Sequence, residues 1–200
     1  MIKILVVEDQ ALVRGAICSL LALEDNIEIV GQAENGQVAL DMLKNIKVDF
    51  ILSDIEMPIM SGLELAERVQ TDYTHIDTLI MTTFSKSGYI KRAMALGVKA
   101  FILKESPTEY LVNAIKQVQN GQRVIDPELA LMALDDNDPL SNKERKAIKL
   151  AGDGLKTAEI AQALFLSEGT VRNYLSEAIS KLNAVNRIDA ARIAKQKGWI

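Results

Sequence analysis

The chain has 200 residues, 48% of them hydrophobic, enough for one or two domains with sizeable cores. A single cysteine, Cys18, and a single histidine, His75, exclude an internal disulfide framework and a histidine-rich zinc site, and 4% aromatic residues argue against a base-stacking surface. The net charge of −4 hides an asymmetry: residues 140–200 carry 11 Lys and Arg against 6 Asp and Glu, whereas residues 1–139 carry 12 against 21, so two modules with different partners are expected.

The opening "MIKILVV" is too short an apolar run for a signal peptide and meets "EDQ" at once. No stretch approaches the roughly 20 apolar residues needed to cross a bilayer. A cytoplasmic protein without membrane insertion is expected, which the lone cysteine also fits.

Through residue 120, strand-like and helix-like patterns alternate. "IKILVV" (2–7), "IEIVGQ" (27–32), "DFILS" (49–53), "DTLIMTT" (77–83) and "KAFIL" (99–103) are short runs rich in Ile, Leu and Val. Between them, apolar residues recur at helical spacing: Val13, Ile17, Leu20 and Leu21, then Val38, Leu40, Met42, Leu43 and Ile46, then "SGLELAERVQ", "GYIKRAMALG" and "TEYLVNAIKQVQNG". Gly97 and Gly121 stand where helix C-caps belong. The alternation predicts a five-stranded, doubly wound α/β domain over residues 1–121, its parallel sheet covered on both faces. "DPELALMALDDNDP" changes character: a short helix after Pro127, then an acidic, turn-rich stretch, so residues 122–139 read as a linker. Residues 140–200 show no strand pattern and read as four helices, with Ser141, Thr157, Ser167 and Asn186 as N-caps.

In an open parallel sheet, ligands bind beyond the carboxyl ends of the strands. The predicted strands end in Glu8-Asp9, in Asp54, in Thr82-Thr83 and in Lys104. Clustered carboxylates repel one another until a hard divalent cation such as Mg²⁺ sits among them. A carboxylate can also act as a nucleophile and form an acyl phosphate, with a metal, a Lys and a hydroxyl stabilising the phosphoryl oxygens. Taken alone, an Asp that ends a strand is usually a turn residue, but four polar strand ends on one rim make a joint pattern. The residues leave a Mg²⁺-dependent phosphohydrolase open, although Glu56 stands where such enzymes often have a second Asp. They also leave open a phosphate-independent dimerisation domain. No G-x-G-x-x-G or P-loop motif supports a nucleotide site.

"VVEDQ", "DIEMPIMSG", "LIMTTF" and "GVKAFILKESP" resemble the receiver domain of two-component response regulators. The resemblance implies a flavodoxin-like (βα)5 fold with strand order 2-1-3-4-5. It implies that Asp54 accepts phosphate from a sensor histidine kinase. Glu8, Asp9 and Asp54 would hold Mg²⁺ with the backbone carbonyl of Glu56; Thr82 and Lys104 would bind the phosphoryl group, and Phe101 would be the switch aromatic. Lys104-Glu105 stands where many receivers have Lys-Pro.

In "TAEIAQALFLSEGTVRNYLSEAISKL" two helices meet at a short turn. Ile160, Ala161 and Leu164 give the first a buried face, and Val171, Leu175, Ala178, Ile179 and Leu182 give one to the second. Arg172, Asn173 and Ser176 share the opposite side, the geometry of a helix-turn-helix reader. Arg and Asn can pair with guanine and adenine edges, while Lys156, Thr157, Thr170 and Lys181 suit phosphate contacts. The same pattern fits a helical interaction domain with a solvated polar face. Residues 140–200 are similar to the four-helix DNA-binding domain of the NarL/FixJ (LuxR-type) family. Arg172, Asn173 and Ser176 match its base-facing positions, and the last helix, 186–197, matches the one used for dimerisation. "EDQ", "TTF…GY" and "VRNY" look closest to Gram-positive regulators that respond to membrane or envelope state. The whole resemblance implies a transcription factor rather than an enzyme. Its only chemistry would be phosphoryl uptake and slow autodephosphorylation, its cofactor Mg²⁺, and its active form a homodimer. Its partners would be the kinase, promoter DNA and RNA polymerase.

Overall fold

The computed structural model describes residues 1–83, 86–134 and 137–200. Phe84, in the "TTF" motif, and Asp135 and Asp136, in the acidic linker, lie outside the described residues. The chain divides into two compact units, one of residues 1–85 and 90–132 and the other of residues 86–89 and 133–200.

The first unit carries a parallel sheet. Its strands are β1 (Ile2–Val7), β2 (Ile27–Ala33), β3 (Phe50–Asp54), β4 (Asp77–Thr82), β5 (Ala100–Leu103) and β6 (Val124–Ile125), in the order β2-β1-β3-β4-β5-β6. The helices between them are α1 (Ala11–Leu21), α2 (Gly36–Leu43), α3 (Gly62–Asp72), α4 (Ser87–Ala95) and α5 (Thr108–Gln119). Alternate residues of each strand feed opposite layers. Ile4, Val6 and Leu52 pack with Ile17, Leu21, Leu111 and Ile115. Leu5, Val7 and Ile51 pack with Leu40, Leu43, Leu65 and Val69. Strands buried on both faces need apolar residues at successive positions, which is why they read as continuous apolar runs.

Several helix details depart from the expected pattern. In α1 the buried residues are Ile17, Cys18 and Leu21, and Leu20 is exposed. In α2 the buried stripe is Gly36, Ala39, Leu40 and Leu43, leaving Val38 exposed. A helix of eight residues presents only a narrow face, so the broad apolar set could not all turn inward. Gly97 and Gly121 both adopt the left-handed conformation just past helix ends.

The sixth strand lies within the expected linker. Val124 and Ile125 pair with Ala100 and Phe101, and the Asp126 N–H donates to the Phe101 carbonyl at 3.0 Å. Two residues are too few to show a period, so only the neighbouring strand edge identifies this strand. Helix α6 (Pro127–Leu134) begins at the proline, whose missing N–H costs nothing at that position.

The second unit holds α7 (Asn142–Gly152), α8 (Thr157–Leu164), α9 (Glu168–Lys181) and α10 (Arg187–Lys197) around a core that includes Ile148, Ile160, Val171, Ala178, Ala194 and Trp199. Ser141, Ser167 and Asn186 cap α7, α9 and α10 through their side chains. The cap of α8 is Lys156 rather than Thr157, because the Lys156 N–H donates to the Glu159 carboxylate at 2.6 Å and closes the turn one residue earlier. Asp138 is tied into this unit: its carboxylate accepts from the Leu140 N–H at 2.8 Å and pairs with Arg145.

Candidate functional site

Parallel pairing brings every strand's carboxyl end to one rim. Ser53 lies opposite Val7, Asp54 opposite Met81, and Thr82 opposite Leu103, so Glu8, Asp54, Thr82 and Lys104 all stand within a residue or so of the same level. Glu8, Asp54 and Thr82 are buried, Asp9 is exposed, and Lys104 is half-buried. One carboxylate oxygen from each of Glu8, Asp9 and Asp54 lies within 4.8 Å of the others. The Lys104 ammonium sits 2.6 Å from Glu8 Oε2 and 3.1 Å from Asp54 Oδ2. The other Asp54 oxygen, Oδ1, accepts the Ile55 N–H at 2.7 Å.

This crowding has electrostatic consequences. Burial is the main cause that pushes the Glu8 and Asp54 carboxyls above their ordinary range, and nearby carboxylates add to it; Lys104 pulls both back. Burial alone would lower the Lys104 ammonium, but the two carboxylates outweigh it and raise it. The cluster is therefore under repulsion that a divalent cation would relieve, and its all-oxygen donor set suits Mg²⁺. Glu56, two residues past Asp54, is exposed in the following loop.

Met57-Pro58 and Gly62 stand in the sequence as residues that shape the loop around Asp54, and the structure supplies their contacts. Gly62, the first residue of α3, lies against the Asp54 peptide: a Cβ there would fall 1.9 Å from the Asp54 carbonyl oxygen. The Gly62 N–H donates to the Ile55 carbonyl at 3.0 Å, and Ser61 and Glu64 form a reciprocal cap at the same helix start. Between them Ile59 is exposed at φ 66°, and the Met60 N–H donates back to the Pro58 carbonyl at 2.7 Å, closing a three-residue turn. A β-branched residue at positive φ is unusual. At the other wall, Arg14 Nη1 donates to the Glu8 carbonyl and the Gln10 N–H to the Glu8 carboxylate at 3.3 Å. Phe101 is buried within β5.

In the second unit, Arg172, Asn173 and Ser176 are exposed together on α9, and Arg172 pairs with Glu168 at 2.8 Å. Thr170 is half-buried and bonded to Ser167, with the two hydroxyls 2.9 Å apart. Lys156 is exposed and Thr157 half-buried at the start of α8. Lys181 is exposed, and its ammonium lies 2.8 Å from both oxygens of Glu144.

Comparison with known proteins matches both units. Residues 4–116 match the response regulator receiver domain, and residues 138–194 match the bacterial regulatory proteins of the luxR family. The chain is a LuxR-type response regulator. The regulator is 45% identical over 199 residues to the transcriptional regulatory protein DesR of Bacillus subtilis, spanning 100% of this chain and 99% of that one. It is 30% identical over 206 residues to the response regulator VraR of Staphylococcus aureus, spanning 100% and 99%. Among solved structures, an RcsB–DNA complex superposes with a TM-score of 0.68 at 19% identity, covering 98% of both chains, a likeness of fold. A LuxR-family DNA-binding response regulator from Staphylococcus aureus superposes with a TM-score of 0.58 at 33% identity, covering 60% of this regulator and 100% of that chain. Among the regulator's described residues no helix is long and apolar enough to cross a membrane.

Proposed function

We propose that this regulator is switched by phosphorylation of Asp54 and, once switched, binds promoter DNA as a dimer. The observation that carries the reading is the convergence of Glu8, Asp9, Asp54 and Lys104 on one rim of the sheet. An Asp54 oxygen attacks the phosphorus of a phosphohistidine on a sensor kinase. The O–P bond forms as the N–P bond breaks, and the imidazole leaves with its electron pair and takes up a proton. Glu8, Asp9 and Asp54, with the Glu56 carbonyl, would hold Mg²⁺, which neutralises charge on the phosphoryl oxygens. Lys104 already touches Asp54 and follows the added negative charge to the phosphoryl group. The Thr82 hydroxyl, at the end of β4, gives that group a second contact. Phe101 lies on the adjoining strand, opposite Ile80, so a shift at Thr82 reaches a packed aromatic within two residues.

Such a switch acts by biasing two pre-existing states. In the DNA-binding unit, Arg172, Asn173 and Ser176 read base edges, and Lys156, Thr157 and Thr170 meet backbone phosphates. Helix α10 supplies the surface that pairs two copies on two half-sites. The chain's role is regulatory, and phosphoryl uptake and slow loss are its only chemistry. Incubation with acetyl phosphate and Mg²⁺ followed by intact-mass measurement tests the core of this reading. One phosphate is gained by the wild type and none by Asp54→Ala; equal gain in both sinks the assignment.

A further inference from the structure

The Glu144–Lys181 pair joins the start of α7 to the end of α9 within the second unit. Glu144 is buried, yet its carboxylate is fully engaged: Oε2 accepts the Ser141 N–H at 2.7 Å, and the Lys181 ammonium sits 2.8 Å from both oxygens. Each charge occupies the helix end that favours it, Glu144 in the first turn of α7 and Lys181 in the last turn of α9. We propose that this pair positions the recognition helix, so that Lys181 acts on DNA through the orientation of α9 and not by touching a phosphate. The inference rests on reading α9 as the base-contacting helix.

Val171, Leu175 and Ala178 hold α9 by apolar packing, which is non-directional and sets depth better than rotation about the helix axis. A cation gripped by two oxygens, themselves fixed by a helix cap, is directional. Lys181 is five residues past Ser176 and nine past Arg172, about 14 Å along the axis at 1.5 Å per residue. Loosening that end changes the rotation at which Arg172, Asn173 and Ser176 meet the bases. Burial raises the Glu144 carboxyl, but Lys181 and the Ser141 N–H outweigh it and hold the group below its ordinary range, so the carboxylate is charged at neutral pH.

Charge alone predicts the opposite result for one substitution. Glu144→Gln removes an anion from the DNA-binding unit, which ordinarily tightens binding; the positioning role predicts weaker specific binding. The full chain, treated with acetyl phosphate and Mg²⁺, is titrated with duplexes that the wild type enriches from a random-sequence library and with sonicated genomic DNA. Glu144→Gln and Lys181→Met are each expected to lower the specific-to-nonspecific ratio about tenfold. The salt slope of Lys181→Met is expected to stay within about 0.3 of wild type. The double variant is expected to be no worse than either single, because the two residues act as one unit. Tighter specific binding by Glu144→Gln, or a Lys181→Met slope lower by about 1 with both DNAs weakened alike, overturns the proposal in favour of a phosphate contact. If a single variant fails to fold, the double, which strands no lone charge, decides: wild-type specificity in it overturns the proposal. Hydrogen exchange separates the two readings. Faster exchange across 168–181 in Glu144→Gln supports positioning and unchanged exchange overturns it, whereas failure of the wild type to enrich any duplex sinks only the DNA-binding reading.

Discussion

Replacing Gly62 by Ala tests how the acceptor carboxylate is held. The new Cβ would lie 1.9 Å from the Asp54 carbonyl oxygen, 2.9 Å from Ser53 Oγ and 3.0 Å from the Asp54 carbonyl carbon. Two of these neighbours are backbone and cannot swing away. The start of α3 and the end of β3 must therefore separate by about 1 Å, against the Gly62–Ile55 hydrogen bond that draws them together. Overpacking of this kind costs about 1–3 kcal/mol, and a rigid backbone neighbour places it near the upper value. A reacting group misplaced by about 1 Å loses about a hundredfold in rate. Gly62→Ala is therefore expected to unfold at lower urea concentration and to take up phosphate from acetyl phosphate about a hundredfold more slowly, measured by intact mass over time. Gly15→Ala is the control: it lies within α1 with nothing within 4 Å of the added Cβ, and gains about 1 kcal/mol from helix propensity. Uptake by Gly62→Ala within about twofold of wild type would refute the claim that this contact places Asp54.

Two further outcomes follow from the same rim. Glu8 and Asp54 ionise above their ordinary values of 4.5 and 3.8, so the folded state holds their protons longer than the unfolded chain does. Their contribution to stability is present below those values and lost as pH rises through the raised ones, where a bound cation then offsets the repulsion. The thermal shift caused by Mg²⁺ is accordingly expected to be large at pH 8 and to shrink as pH falls toward 5; an equal shift at both would rule out these two carboxylates as the binding groups. Ile59 is 82% exposed at φ 66°, so its side chain loses little burial if replaced. Ile59→Asn is expected to stabilise the receiver unit by about 1 kcal/mol by removing left-handed strain, read as a higher urea midpoint. No gain would mean that the turn is not strained.

The strand ends were legible because each is a local event. An apolar run stops at Glu8, Asp54, Thr82 or Lys104, and parallel pairing carries all four to one rim whatever the details of packing. The buried faces of α1 and α2 were legible only in outline: which of Leu20 or Cys18, Val38 or Ala39, turned inward depended on the sheet beneath. Lys181 was legible only in part for a related reason. Its position in a basic segment suits a phosphate contact, and nothing near it in the chain points to Glu144, 37 residues away. The Ser141-x-x-Glu144 spacing did mark a cap, so half of the pair had a signal and its partner had none.

What the amino-acid order determined by itself is the local menu: five apolar strands, helices with capped ends, four polar strand termini and a basic helical segment. These follow from periodicity and backbone chemistry, which act over a few residues. Tertiary structure alone decided the contacts that close at long range. It added the two-residue strand β6, pressed Gly62 onto the Asp54 peptide, drew Lys104 between two carboxylates, and locked Lys181 to Glu144. Each of these depends on atoms far apart in the chain meeting at about 3 Å, and hydrogen bonds and ion pairs of that length are invisible until the fold sets their ends side by side.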